Sequence, residues 1–270
     1  MPDSAPGMCG PVCSGELCAH GMTDVGLERK NNEDAFLLLP LAAGRLLAAV
    51  ADGVGGHRAG EVASKLTCET IAATAGRGLL DELDESPAIW SGVLSAMAHE
   101  AHRAIAALAR ENDGEYAGMA CTLTLVLAGV SGFAYAQVGD SRLYRMADGS
   151  LRQLTRDQTV ANALFEAGRI DKAQLAAHPD NKVLEQALGL QMAGNSLKIA
   201  HGEGELAAGN YLLLCSDGLS AAVPDTEIAS ILRSAHDLRA GSSALRAAAL
   251  ASGGRDNITT VLLRYGESGQ

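Results

Sequence analysis

The segment AAVADGVGGHRAGEVAS (48–64) begins as an apolar strand, meets an Asp-Gly turn and continues as a helix, so the carboxylate of Asp52 stands where buried chain ends. The arrangement recurs. VGDSR places Asp140 after the apolar run 132–139, CSDGLS places Asp217 after 210–216, and GGRDNITTVLL places Asp256 just ahead of a final apolar strand. Each run reads as a buried strand from its length and composition. If these strands belong to two packed sheets, their ends converge at one edge and four carboxylates share a small, partly dry site. Such carboxylates repel one another and lose hydration, at a cost of several kcal/mol each, unless a counter-charge is supplied. Lysine and arginine are scarce beside these motifs. Oxygen-only ligands favour Mg²⁺ or Mn²⁺ over zinc, and Gly53, with no side chain, leaves its carbonyl open to an ion already held by Asp52. A single Asp-Gly is usually only a turn; the fourfold recurrence carries the inference.

The rest of the chain supplies a frame for these ends. With 270 residues, 47% of them hydrophobic and no compositional break, one sizeable domain is expected. A helix is expected from about Gly60 to Ala75, with Val62, Leu66 and Ile71 on its apolar side. A longer one over 86–110 takes Ser86 as cap and Pro87 in its first turn, and Ile89, Val93, Met97, Ala101, Ile105 and Leu108 recur at helical spacing. Short turns between apolar runs favour antiparallel pairing. Strands come in groups with helices between and after them, which is an α+β layered order and not strict βαβ alternation. Residues 157–195 are more polar and less regular, and read as a surface flap with short helices at 159–167 and 182–188.

Charge and cysteines exclude several function classes. Lys+Arg 21 against Asp+Glu 32 gives 21 − 32 = −11, which disfavours nucleic acid and anionic membrane as partners. No apolar run approaches the roughly 20 residues that span a bilayer, and the opening MPDSAPGMCGPVCSGELCAH has no basic start followed by an apolar stretch. A soluble, cytoplasmic monomer is expected. Cys68, Cys121 and Cys215 lie in apolar patterns as small hydrophobes. Cys9, Cys13 and Cys18 near His20 lack the paired spacing of a zinc site, and 1–18 is expected as a disordered tail, with a second short tail at 266–270. None of the six cysteines is followed by arginine at C-x5-R spacing, so a cysteine-based phosphatase loop is absent.

Taken in order, GLERKNNEDAF (26–36), VADGVGGH (50–57), VGDSRLYR (138–145), LTRDQT (154–159), CSDGLS (215–220) and GGRDNITTVLL (253–263) resemble the metal-dependent serine/threonine protein phosphatases of the PPM, or type 2C, family in its bacterial form. The resemblance covers residues 19–265, and six ordered motifs are far more specific than any one. It implies a four-layer α-β-β-α sandwich, two central antiparallel sheets flanked by helices, with a binuclear metal site at one end. It implies hydrolysis of phosphoserine and phosphothreonine by metal-activated water, without a covalent phosphoenzyme, opposing a cognate kinase. By position, Asp52 resembles the bridging carboxylate, Gly53 the carbonyl ligand of the second metal, and Asp217 and Asp256 the remaining ligands of the first. Asp140, with Asp217, matches a weaker third site. The cofactors implied are two tight Mn²⁺ or Mg²⁺ ions plus that third. Glu33 and Asp34 would orient waters from the outer shell, and Arg29 would bind the substrate phosphate; by itself Arg29 reads as a surface residue of a charged loop. His57 reads equally as a helix-start histidine and is not assigned a catalytic role.

Three positions depart from the family pattern. Val54 stands where many eukaryotic members carry a histidine proposed to protonate the leaving group, Ala120-Cys121-Thr122 replaces a Gly-Thr-Thr core, and 157–195 matches only loosely. Two other functions fit the same fold: a phosphopeptide-binding pseudophosphatase, which loss of Asp52, Asp217 or Asp256 would favour, and a small-molecule phosphoesterase.

Overall fold

The computed structural model describes residues 8–54, 58–78, 80, 82–112, 114, 116–190 and 196–266. The chain opens with strands β1 (Met8–Ser14), β2 (Leu17–Asp24), β3 (Asp34–Pro40) and β4 (Leu46–Val54), then helices α1 (Arg58–Ala75) and α2 (Pro87–Glu111). It continues with β5 (Ala120–Cys121), β6 (Leu123–Gly129), β7 (Gly132–Val138), β8 (Arg142–Ala147) and β9 (Ser150–Gln153), then α3 (Val160–Glu166) and α4 (Lys172–Ala177). The last part holds β10 (Ala200–Gly204), β11 (Tyr211–Cys215), α5 (Asp217–Ser220), α6 (Asp225–Ser234), α7 (Leu238–Ala251) and β12 (Ile258–Tyr265).

Side-chain alternation builds the layers. On β4, Leu47, Ala49 and Ala51 face a core shared with α1 and α2, while Leu46, Ala48 and Val50 face the other sheet. On β11, Leu212 and Leu214 meet that inter-sheet core, while Leu213 and Cys215 pack beneath α6 and α7. A strand buried on both faces must be apolar at every position, which is why these runs are continuous and not alternating. The sheets run β1-β2-β12-β11-β8-β9 and β10-β7-β6-β4-β3, with β5 beside β4, and all pairings are antiparallel. The result is the expected helix, sheet, sheet, helix sandwich.

Several local expectations are corrected. Residues 8–18 are not a loose tail: they form β1 and the start of β2, and β2 is held inside its sheet by pairing with β12 from Asp24 to Leu17. Pro11 sits at a register shift on the edge strand β1, where its missing N–H costs nothing. Cys13 and Cys18 face each other across this hairpin and form a disulfide, not a zinc site. Residues 182–188 are not helical; their backbone makes isolated bridges from Leu184 to Thr159 and from Leu188 to Cys121. On α2 the buried line is Trp90, Leu94, Met97, Ala101 and Ile105, while Ile89 is exposed. Ser86 caps that helix without a side-chain hydrogen bond. The chain does not turn at Asp52 but stays extended to Val54 by pairing with β5. His57, residues 1–7 and 267–270 lie outside the described residues.

Candidate metal centre

The sandwich brings the motifs to one end. Asp34 and Asp52 are direct partners across β3 and β4. Asp140 occupies the corner where the chain leaves β7 in one sheet and enters β8 in the other. Asp217 opens α5 directly after β11, and Asp256 lies just before β12. Arg29, Glu33, Asp52, Gly53, Asp140, Asp217 and Asp256 line one cleft of about 580 Å³, with Val54, Thr122 and the flap residues Lys182, Val183 and Leu184. Asp34 lies behind that lining.

Neighbouring polar groups fix each strand end. The Asp52 N–H donates to Thr122 Oγ1 at 3.0 Å, and the Thr122 N–H donates back to the Asp52 carbonyl at 2.8 Å. Thr122 Oγ1 lies 2.7 Å from Ser141 Oγ, so one hydroxyl pair ties the Asp52 strand to the Asp140 corner. Ser216 Oγ donates to Asp34 Oδ2 at 2.7 Å and joins the two sheets beneath the cleft. Asn257 stitches β12 to the loop that carries Arg29 and Glu33: its Oδ1 accepts from the Glu33 N–H, and its Nδ2 donates to Val25 and Asn31 carbonyls. Thr122, Ser141, Ser216 and Asn257 were not singled out as site residues from the sequence. Their adjacency to the aspartates, in Asp-Ser, Ser-Asp and Asp-Asn pairs, was the available signal for three of them.

Two glycines are required by close approach. A Cβ on Gly53 would overlap the Gly60 carbonyl in the first turn of α1 and come within 2.6 Å of the Glu33 carbonyl. A Cβ on Gly218 would strike the Asn257 carbonyl. The Asp-Gly sequence therefore lets backbone pack directly beside the carboxylates. The Glu33 carboxylate lies over Gly60, where a Cβ would strike it, in the first turn of α1, where a helix favours negative charge.

The electrostatics follow from burial. Burial raises Asp52 well above the usual carboxylate range, and Asp34, Asp217, Asp140 and Asp256 push it further. Burial likewise lifts Asp34 to about 7, against the opposing hydrogen bonds of Thr259 and Ser216. Asp140 rises to about 7, first from burial and then from Asp217 and Asp157. The expected scarcity of nearby cations is corrected in three dimensions. Arg29 Nη2 sits 2.8 Å from Asp256 Oδ2, and Lys182 Nζ sits 3.0 Å from Asp217 Oδ2. Among the described residues no three His, Cys, Asp or Glu side chains form a closed ion cage. Beneath the cleft the Cys121 and Cys215 thiols are each pushed up to about 12 by burial, so neither offers a thiolate near neutral pH.

The residues fit hard divalent cations by their chemistry. The donors are carboxylates and a backbone carbonyl, with no thiolate or imidazole among them. Asp34 Oδ1 is buried with no hydrogen-bond partner, an acceptor awaiting a donor such as an ion-coordinated water. Asp34, Asp52 and Asp140, each raised by burial and by neighbouring carboxylates, are in the situation that added positive charge relieves.

The Protein phosphatase 2C family profile matches residues 28–252. The serine/threonine protein phosphatase PstP of Mycobacterium tuberculosis is 38% identical over 240 residues, covering 89% of this chain but 43% of PstP, so the chain spans less than half of that relative. Protein phosphatase PhpP of Streptococcus pneumoniae is 31% identical over 246 residues, covering 91% of this chain and 96% of PhpP. The crystal structure of the PstP catalytic domain in complex with two manganese ions superposes with a TM-score of 0.76 at 35% identity, covering 93% of this chain and 99% of that one. The family match over residues 28–252, the 38% and 31% identities and the shared architecture place the chain in the protein phosphatase 2C family of bacterial serine/threonine protein phosphatases.

Proposed function

We propose that this cleft hydrolyses phosphoserine and phosphothreonine on proteins with the aid of Mn²⁺ or Mg²⁺. The observation that carries the reading is the convergence of carboxylates from the ends of both sheets on one cleft, with an arginine at its rim. Asp52 would bridge two ions, the Gly53 carbonyl would serve one of them, and Asp217 and Asp256 would complete the other. Asp140 and Asp217 would hold a weaker third. When bound, such ions supply Lewis acidity toward phosphoryl oxygens and lower the pKa of a coordinated water.

The chain's own groups do the positioning. Arg29 presents a planar guanidinium, half-exposed and anchored on Asp256, in the fork geometry that suits a phosphate. Asn257 fixes the loop on either side of Arg29 through the Val25 and Asn31 carbonyls and the Glu33 N–H. Asp34, with one oxygen held by Ser216 and the other buried without a partner, would accept from a water and orient it. Glu33 would orient a second water from the edge of the cleft. Val54 lines the cleft with an apolar side chain, so position 54 offers no proton to the departing serine or threonine oxygen. The physiological substrates would be phosphoproteins of a serine/threonine kinase that this enzyme opposes.

The test is hydrolysis of a phosphothreonine peptide by metal-stripped protein with Mn²⁺, with Mg²⁺ and with EDTA. Turnover should require either ion and vanish with EDTA; equal turnover in the chelated and metal-loaded samples would overturn the reading.

A further inference from the structure

The two cations at the carboxylate cluster come from different parts of the molecule. Arg29 belongs to the loop that Asn257 ties to β12. Lys182 comes from the flap, with its side chain 61% exposed against 19% for Asp217. Their ion pair forms a wall common to three cavities: the 580 Å³ cleft, a 370 Å³ pocket bounded by Arg142 and Asp157, and a 250 Å³ pocket reaching Ser252 and Arg255. Asp140 lines the first two of these and faces Lys182 as well as Asp217. The flap lysine thus stands at the Asp140–Asp217 edge of the cluster.

An ammonium group there makes the same demand as a cation. It offers three donors and one positive charge to carboxylate lone pairs, and Asp217 Oδ2 cannot serve Nζ at 3.0 Å and a coordinated ion in the same place. The contact is also easily broken, since ion pairs at exposed rims are weak and long side chains gain freedom on release. A tight ion bridged by Asp52 would be little affected. A weak one at the outer edge would feel the competition.

We propose that Lys182 is a tethered counter-ion that competes with a weakly held divalent cation for the Asp140–Asp217 edge, so that filling this edge frees Lys182 and with it the flap segment that carries it. This positioning role rests on the metal-centre reading above. It makes the weak site a point where ion concentration and flap contact are coupled: each weakens the other, by the same factor.

The test is calorimetric titration of Mn²⁺ into the metal-stripped 270-residue chain, comparing wild type, Lys182→Gln and Lys182→Arg. The exposed position makes both variants compatible with folding, which a thermal melt without metal checks. Two tight sites should be unchanged in all three proteins. The weakest Mn²⁺ dissociation constant should fall about three- to fivefold in Lys182→Gln and stay at the wild-type value in Lys182→Arg, with the difference shrinking as NaCl is raised. Superimposable wild-type and Lys182→Gln isotherms would overturn the proposal, as would the absence of any third site in both. Absence of the tight sites from the wild type itself would overturn the metal-centre reading instead.

Discussion

Asp52 and Lys182 line the same cleft, yet the chain holds them in different ways. Asp52 is in the body of β4, paired with β3 on one side and fixed through Thr122 on the other. Lys182 is on a segment between α4 and β10 whose described residues form no strand or helix. That segment is anchored at few points. Leu188 is fully buried in the core under α1 and α2 and exchanges two backbone hydrogen bonds with Cys121, and Gly189 N–H donates to His102 Nδ1. The flap's first residues are tied down more firmly, through the partly buried Arg142–Asp157 pair and two hydrogen bonds between Gly139 and Gln158, while further out the contacts include exposed pairs such as Arg156 with Glu166. The contrast separates two jobs: strand ends fix charge where it must not move, and a loosely tethered segment brings groups that can be released.

The largest expected effect breaks the rigid side of this comparison. Asp52→Asn keeps the shape of β4 but removes charge from the carboxylate on which the other four converge, so phosphopeptide turnover should fall about 10³-fold. Circular dichroism and the melting temperature should stay near wild type. Retained turnover would show that Asp52 serves the strand and not the chemistry.

Next comes the flap anchor. Leu188→Ala should cost about 2–3 kcal/mol in urea unfolding, the low end for a buried leucine because the flap can settle into the gap. Limited proteolysis should then cut within 157–190 before the sandwich. A loss below about 0.5 kcal/mol would mean that the flap is held elsewhere. Arg29→Ala tests the rim between the two regions: kcat/KM should drop about tenfold to a hundredfold, the scale of a lost charged hydrogen bond, while calorimetric Mn²⁺ binding at the tight sites persists. Loss of those sites in a folded variant would contradict a phosphate-binding role. The smallest effect is expected at Arg156, whose pair with Glu166 has side chains 79% and 49% exposed. Arg156→Ala should change stability by less than about 1 kcal/mol and leave turnover unchanged; a larger loss would show that the exposed pairs hold the flap after all.

The same contrast explains what could be read from the chain. The runs 121–130, 132–139 and 210–216 announce strands because both their faces are buried, and burial is written in composition. Their terminal aspartates are legible for the same reason, as charge set against apolar neighbours. The flap has no such signature. Residues 182–188 carry helical spacing, but Leu184 and Leu188 make bridges to Thr159 and Cys121, contacts that spacing along the chain does not encode. The short helix α4 is marked by Asp171 and Gln174, which form a capping box. At the other end, Gly10, Pro11 and Gly15 disguise the β1–β2 hairpin as a tail, since its stability comes from β12, far away in sequence. Lys182 could not be placed from sequence at all, because its ion pair spans 35 residues to Asp217.

The most direct test of the account is an anomalous diffraction measurement at the manganese edge on crystals of the chain grown with Mn²⁺. Two strong peaks should lie in the cleft, with Asp52 oxygens reaching both, the Gly53 carbonyl reaching one, and Asp217 and Asp256 reaching the other. Peaks elsewhere, or none in the cleft while the same preparation hydrolyses phosphothreonine peptide, would contradict the claim that these strand-end carboxylates form the metal centre.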